Sequence, residues 1–489
     1  MKMLKPSMSE VNQYVASGKY TVLPISMELL SDFTTPVEVM RILKNVSNHC
    51  YMLESVAANE QWGRYTFLGY APKIEITCTN GHMKIGDMRV ETNDPGEHIR
   101  QLLSAYKSPV IPGMPPFTGG LVGYFSYNYI KYTEPTLNLD ADDTEGFNDV
   151  DLMLFDKVIA FDNFRQKIIL TVNIRLDNAE IEYNRAKLEL RQMAELLRKG
   201  QSRKDLGGRL KSEVTPCFTL EEYSQIVEKA KHYIREGDIF QVVPSNRLEA
   251  EFEGSLFDTY RTLRTVNPSP YMFYFAGENI EVAGASPETL VKLEQGVLHT
   301  FPIAGSRPRG ATPDEDAAFE KELLADPKER AEHNMLVDLG RNDLGRISKF
   351  GSIGVEEYMS ILRFSHVMHI GSSVRGELKE GLDAIDAIAA VLPAGTLSGA
   401  PKIRACEIIN ELEQNKRGIY GGAIGYIDFS GNMDTCIAIR IAYKVNNKVY
   451  VRSGGGIVAD SEPETEYQET INKAAAVVKA LKLAQEEIL

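Results

Sequence analysis

The chain has 489 residues, of which 43 % are hydrophobic and 25 % charged, with a formal net charge of −14. These fractions belong to a globular protein and exclude collagen-like, coiled-coil and wholly disordered chains. The acidic excess argues against nucleic acid as a partner, because a phosphate backbone needs clustered Lys and Arg.

In chain order, residues 21–175 alternate short β-like runs with Gly/Pro turns. They include Tyr65–Tyr70, Ile74–Cys78, Leu121–Tyr127, and the pair Val158–Phe161 and Lys167–Val172, which reads as a hairpin. Apolar residues at helical spacing from Asn178 to Lys199 predict an amphipathic helix. The polar stretch Gly200–Ser212 reads as a linker. Beyond it, Thr219-Leu-Glu-Glu222 is a helix-start signal. Helices are expected at 219–235, 317–340, 382–391, 401–412 and 464–485, with strands at Ile239–Pro244, Tyr271–Phe275, Glu281–Ala285 and Val445–Val451. This order predicts an α+β fold of antiparallel sheets rather than a doubly wound one. It divides the chain into an N-terminal unit (15–175), a helix and linker (176–215) and a C-terminal unit (216–487). Gly119-Gly-Leu-Val-Gly-Tyr124 is echoed by Gly421-Gly-Ala-Ile-Gly-Tyr426, as two similar strands would be.

The five cysteines (Cys50, Cys78, Cys217, Cys406, Cys436) are scattered, as thiols in a reducing compartment are. No uninterrupted apolar run is long enough to span a membrane; the best stretch, 384–400, contains Asp386 and Pro393. With no secretory apolar segment at the N-terminus, the expected location is the cytoplasm, away from any membrane.

No G-x-G-x-x-G follows a strand and no phosphate-cradling G-x-x-x-x-G-K-[ST] occurs. Two glutamate pairs stand out instead, Glu329 with Glu332 and Glu466 with Glu469. At i,i+3 on a helix each pair shares a face, which makes either a solvated acidic surface or a set of hard oxygen ligands of the kind Mg²⁺ prefers. Ser453-Gly-Gly-Gly-Ile457 precedes the second pair and is either a turn or a place where backbone N–H groups converge on an anion. Pro393-Ala-Gly-Thr-Leu-Ser-Gly-Ala-Pro-Lys402 presents Thr396 and Ser398 on a loop, with Pro401 suited to a first helical turn. His369, in Val367-Met-His-Ile370, is either a bonded core residue or a proton carrier.

Together these motifs resemble the chorismate-utilising enzymes, and among them the anthranilate synthase large subunits. The resemblance runs over nearly the whole chain. It is carried by Phe117–Tyr124, Pro302-Ile-Ala-Gly-Ser-Arg-Pro-Arg-Gly310, Glu329–His333, Met335–Asp343, 393–402, Asp434–Arg440 and Gly454–Thr470. It implies layered antiparallel sheets with outer helices. It also implies Mg²⁺ held directly by Glu332 and Glu469 and through water by Glu329 and Glu466. The ring carboxylate of chorismate would sit at the metal and the Gly454, Gly455 and Gly456 amides. Tyr426 and Arg440 would hold the enolpyruvyl carboxylate, since Arg offers a bidentate fork, with Gly305 and Ser306 lining the pocket. Glu288 would be the general acid that protonates the departing C4 hydroxyl, His369 would serve the aromatising step, and Thr396 would supply a nearby hydroxyl.

Within that family, water-adding relatives place a lysine base where this chain has Gln241. Aminodeoxychorismate synthases usually carry a nucleophilic lysine where it has Ala304. The resemblance therefore implies ammonia addition to chorismate, giving anthranilate and pyruvate. The alternatives are an aminodeoxychorismate synthase or a silent tryptophan-binding relative. Ser306 stands where the family more often has threonine. Glu54, Ser55, Pro270, Tyr271 and Met272 match elements that bind tryptophan as feedback inhibitor, with a proline–tyrosine–methionine wall for the indole. No Gly-x-Cys-x-Gly surrounds any cysteine, so ammonia from glutamine would need a separate amidotransferase subunit.

Overall fold

The computed structural model describes residues 4–55, 63–203, 207–364 and 367–486. Two large antiparallel sheets lie face to face with helices on both outer sides. The first runs from Val22–Leu30 through Lys167–Arg175, Lys157–Asp162, Tyr65–Tyr70 and Cys50–Glu54. It continues into Tyr271–Ala276, Glu281–Ser286, Ile441–Val445, Lys448–Gly454 and Ser245–Glu253. The second takes Ile303–Pro308, Val367–Glu377, Val297–Thr300, Thr289–Glu294, Met433–Ile437 and Ala423–Asp428. From there it passes to Gly120–Phe125, Val150–Phe155 and Ile74–Thr79. Both sheets thus contain strands from either side of the polar 200–212 stretch. The joints are Tyr271–Ala276 against Cys50–Glu54 and Ala423–Asp428 against Gly120–Phe125. The architecture is the expected α+β.

Alternation sorts the side chains into layers. Tyr51, Phe273 and Phe275 of the first sheet meet Tyr124, Phe155 and Tyr426 of the second between the sheets. The intervening Met52, Met272 and Tyr274 face the helix-covered outer side with Leu190, Leu263 and Val477. The second sheet's other face packs Leu290 and Leu298 on Val337 and Ile388. Cross-sheet aromatic pairs such as Tyr51–Phe155, 4.7 Å between centroids, add roughly 0.5–1.5 kcal/mol each beyond the burial of their area.

The two glycine-rich echoes are neighbouring antiparallel strands, with Gly123 opposite Gly425. Their φ values are +150° and +158°, and a Cβ would lie 2.1 Å from the Asp151 carbonyl oxygen and 2.0 Å from that of Asp434. Only glycine fits such an approach. The hairpin at 162–167 and the Thr219–Glu222 capping box form as the sequence predicts.

Three expectations are corrected. The 317–340 helix is two helices, Pro313–Ala325 and Pro327–Ile347, because Asp326 caps the second by accepting from the Lys328 and Glu329 amides. The Val445–Val451 run straddles a hairpin, since Asn446 and Asn447 both take positive φ between the paired strands. Pro401 is the N-cap residue, and the helix begins at Lys402.

Candidate active site

Glu288 lies where the chain steps from the first sheet, ending at Ser286, into the second, starting at Thr289. The return step, residues 438–440, runs beside it: the Ala285 amide donates to the Arg440 carbonyl at 3.2 Å, and the Ile437 amide to the Glu288 carbonyl at 3.0 Å. These adjacent crossings put a carboxyl and a guanidinium at one inter-sheet step. The Glu288 side chain is 8 % exposed, and burial pushes its carboxyl up to about 8. The Thr396 hydroxyl and the Lys473 ammonium pull it down by less. Thr396 Oγ1 donates to both carboxylate oxygens, at 3.3 and 3.4 Å. A cavity of about 30 Å³ opens beside the pair, lined by Thr300, Leu336, Asp343 and Ile437 among others; such a volume holds about one water.

Arg440 takes a left-handed φ of +52°, a conformation that costs a non-glycine residue about 1–3 kcal/mol. Its guanidinium is half-buried, burial lowers its pKa, and no carboxylate among the described residues pairs with it. A desolvated cation without a counter-ion is an anion site waiting for its ligand.

His369 Nδ1 lies 2.6 Å from the Gly305 carbonyl oxygen. A carbonyl only accepts, so Nδ1 carries the proton and Nε2 keeps its lone pair. Burial, with a smaller contribution from Arg440, holds the ring below the usual histidine range, against the Gly305 bond; it is neutral at pH 7. Gly305 and the exposed Ser306 sit in a bulge of Ile303–Pro308. A Cβ at Gly305 would lie 3.0 Å from Glu329 Oε2, so the same bulge touches the first glutamate pair.

The glutamates come from two helices, Pro327–Ile347 and Pro463–Leu483. Burial first and neighbouring carboxylates second raise the Glu332 and Glu466 carboxyls, and Glu469 acts on both. Gly455 backs onto the second pair: a Cβ there would lie 3.1 Å from Glu466 Oε2. Among the described residues that oxygen is buried without a hydrogen-bond partner. Carboxylate oxygens gathered around one with no described partner are, in their chemistry, the donors a hard divalent cation takes. Among the described residues, however, no three acidic, His or Cys side chains converge tightly enough to enclose an ion. Lys473 supplies positive charge there, with Nζ 2.6 Å from Glu469 Oε1 and donating to the Gly454 carbonyl at 3.0 Å. Arg307 contacts Glu329 at 3.4 Å.

Two further residues stand at the site that the sequence motifs do not mark. Lys473 follows Glu469 by one helical turn, and that i,i+4 spacing was its available signal. Tyr420 reaches the glycine loop: burial raises its phenol to about 12 and the Gly454 backbone N–H works against that. Tyr426, expected beside Arg440 on the enolpyruvyl carboxylate, packs between the sheets tilted against Phe117 and edge-on to Phe67, and no described hydrogen bond joins it to Arg440. Gln241 abuts Gly456, where a Cβ would lie 2.1 Å from its Nε2.

The expected tryptophan elements share a strand pair, Met272 opposite Glu54. The Glu54 carboxylate is held by Arg264 at 2.5 Å and by the Tyr260 hydroxyl. Among the described residues, Ser55 Oγ and Asn267 Nδ2 are buried without hydrogen-bond partners. Tyr271 and Met272 do not form one wall. Tyr271 turns inward, with its hydroxyl 2.8 Å from Asp434 and 2.9 Å from Thr289, while Met272 packs outward.

Against known proteins, residues 48–479 match the model of the chorismate binding enzymes. A protein of Acetivibrio thermocellus named anthranilate synthase component 1 is 44 % identical, the alignment covering 99 % of this chain and 100 % of that one. Its namesake in Pseudomonas aeruginosa is 45 % identical over 97 % and 98 %. The crystal structure of anthranilate synthase component I from Streptococcus pneumoniae superposes with a TM-score of 0.78 at 38 % identity, over 92 % of this chain and 99 % of that one. A menaquinone-specific isochorismate synthase from Escherichia coli shares the fold, with a TM-score of 0.70 at 18 % identity over 97 % and 98 %.

Proposed function

The chain belongs to the chorismate binding enzyme family, and from that premise we propose that it is the ammonia-using large component of an anthranilate synthase. The observation that carries this reading is Glu288, a buried carboxyl whose pKa of about 8 keeps it protonated at neutral pH. Its inter-sheet step adjoins that of Arg440, which no carboxylate among the described residues pairs with, and Arg440 in turn acts on His369. Glutamine at 241 and alanine at 304 leave no lysine for water activation or covalent attack at either position.

In the first step a bond forms between ammonia nitrogen and C2 of chorismate, the ring double bonds shift, and the C4–O bond breaks. Hydroxide leaves poorly, so Glu288 delivers its proton to that oxygen and water departs. The Thr396 hydroxyl holds the carboxyl toward the site and stabilises the carboxylate left behind. In the second step C2 loses its proton, the C3–O bond breaks, and the enolpyruvyl group leaves as pyruvate once its methylene carbon is protonated. His369 Nε2 is free to take the C2 proton. Arg440 grips the enolpyruvyl carboxylate by two N–H donors. Glu332 and Glu469, with Glu329 and Glu466 behind them, would hold Mg²⁺. Bound there, it would supply charge neutralisation for the ring carboxylate, which the Gly454–Gly456 amides would also face.

Ammonia would come from a separate glutamine amidotransferase subunit, and tryptophan would act as inhibitor at the Glu54–Ser55 and Pro270–Met272 elements. Ser55 Oγ and Asn267 Nδ2, without hydrogen-bond partners among the described residues, support a polar ligand there. Purified chain with chorismate, Mg²⁺ and ammonium should release fluorescent anthranilate and pyruvate in equal amounts, and with glutamine alone should release neither. Accumulation of a 4-amino-4-deoxychorismate product would overturn the assignment. Ser55→Phe or Met272→Thr should raise the tryptophan concentration for half inhibition by about tenfold or more while sparing turnover. Equal loss of both would argue against a separate site.

A further inference from the structure

We propose that Arg417 is a positioning residue for this reaction: with Glu413 it fixes the Thr396 loop, the Gln241 strand and the glycine loop relative to one another. Arg417 and Glu413 are each 2 % exposed, and neither makes a described bond to Glu288, His369 or Arg440. The guanidinium's donors reach three partners in three different segments. Nη1 donates to the Leu397 carbonyl at 2.6 Å, one residue past Thr396. Nη2 donates to the Val243 carbonyl at 2.6 Å, two residues past Gln241. Nε and Nη2 also reach the Glu413 carboxylate, at 3.0 and 2.5 Å.

Glu413 extends the linkage to the third element. It accepts from the Ser245 amide at 2.6 Å and hydroxyl at 2.9 Å, and from Arg452 Nη1 at 3.1 Å. Ser245 pairs with Gly454 across the sheet, and Arg452 leads directly into Ser453–Gly456. The two carbonyl bonds lie beside one more tie, from the Val243 amide to the Ser398 carbonyl at 3.0 Å. The guanidinium also lies 4.6 Å from the Tyr127 ring and 5.7 Å from that of Tyr420.

A buried ion pair is a poor source of net stability compared with an apolar isostere. This one directs planar, fixed donors to main-chain carbonyls of two site loops, which a lysine cannot do at once. Geometry at the reacting groups is sensitive to shifts on the order of 1 Å, and Thr396 must stay on Glu288.

The inference rests on the proposed function, and a double-mutant cycle tests it. Arg417→Lys should lower kcat for ammonium-dependent anthranilate formation about tenfold or more. KM for chorismate should stay within about threefold, and the melting temperature should stay within a few degrees. Thr396→Val alone should also lower kcat, and the double variant should lose no more than the larger single loss. Losses that multiply, or an Arg417→Lys chain with undiminished kcat, overturn the proposal. Should Arg417→Lys not fold, the isosteric Glu413→Gln enters the same cycle; if neither folds, the pair serves the fold and the proposal fails. A wild-type chain that forms no anthranilate removes the functional reading and this inference together. One that forms it while the losses multiply removes the inference alone.

Discussion

Glu288 is uncharged near neutral pH because Ser286-Pro287-Glu288 crosses between sheets, and a side chain at that step has little water to solvate a charge. The cost of ionising it is a stability statement with a definite sign. Its folded pKa, about 8, lies above the unfolded carboxylate value. The folded chain therefore holds this proton more tightly, and stability falls as pH rises from about 4.5 to about 8. Glu288→Gln removes that dependence, so its melting temperature relative to wild type should climb across this window; a constant offset would contradict the burial argument. His369 gives a chemical prediction. With its imidazole removed by His369→Ala, ammonia addition should proceed and aromatisation stall. Mass spectrometry should then find an amino-deoxyisochorismate accumulating at the expense of anthranilate. Undiminished anthranilate release would remove His369 from the second step.

At the scale of elements, the paired strands Gly120–Phe125 and Ala423–Asp428 depend on carbonyl-to-Cα approaches that no side chain permits. Gly425→Ala should cost about 3 kcal/mol or more in denaturant unfolding, combining left-handed strain with a clash against the Asp434 carbonyl; a cost below about 0.5 kcal/mol would mean the strand can shift freely. Elements of this kind were legible where one local signal dominates. Tyr65–Tyr70, the 162–167 hairpin and the Ala179–Lys199 helix each follow from periodicity plus a turn or cap. Where signals compete, the reading slipped. The apolar residues around Asn446-Asn447 hid a turn, and helical periodicity ran through Asp326-Pro327 although that dipeptide opens a new helix. Short helices such as Pro36–Val46 and Phe257–Val266 were lost among β-like neighbours. Tyr271 and Met272, adjacent in sequence, could not form one wall because a strand sends neighbours to opposite faces.

For the whole molecule, the pairing of Cys50–Glu54 with Tyr271–Ala276 and of Gly120–Phe125 with Ala423–Asp428 brings residues hundreds of positions apart into both sheets. No local pattern encodes such long-range pairing, so a sequence reading finds the strands and not their neighbours. The site follows from the same topology. One crossing supplies Glu288 and the adjacent return supplies Arg440, while two outer helices and a glycine loop contribute the carboxylates and the backbone facing them. Its motifs were visible as a set, whereas Lys473 and Tyr420 emerged only once the chain was folded. The central claim is that the neutral Glu288 carboxyl donates the proton that lets the C4 hydroxyl leave. It is tested most directly by the pH dependence of kcat/KM for chorismate at constant free ammonia, in wild type and Glu288→Gln. Wild-type activity should fall as pH rises through about 8, and the variant should be roughly 10²–10⁴-fold slower with that limb absent. A Glu288→Gln chain with near-wild-type activity, or one that keeps the limb, would contradict the account.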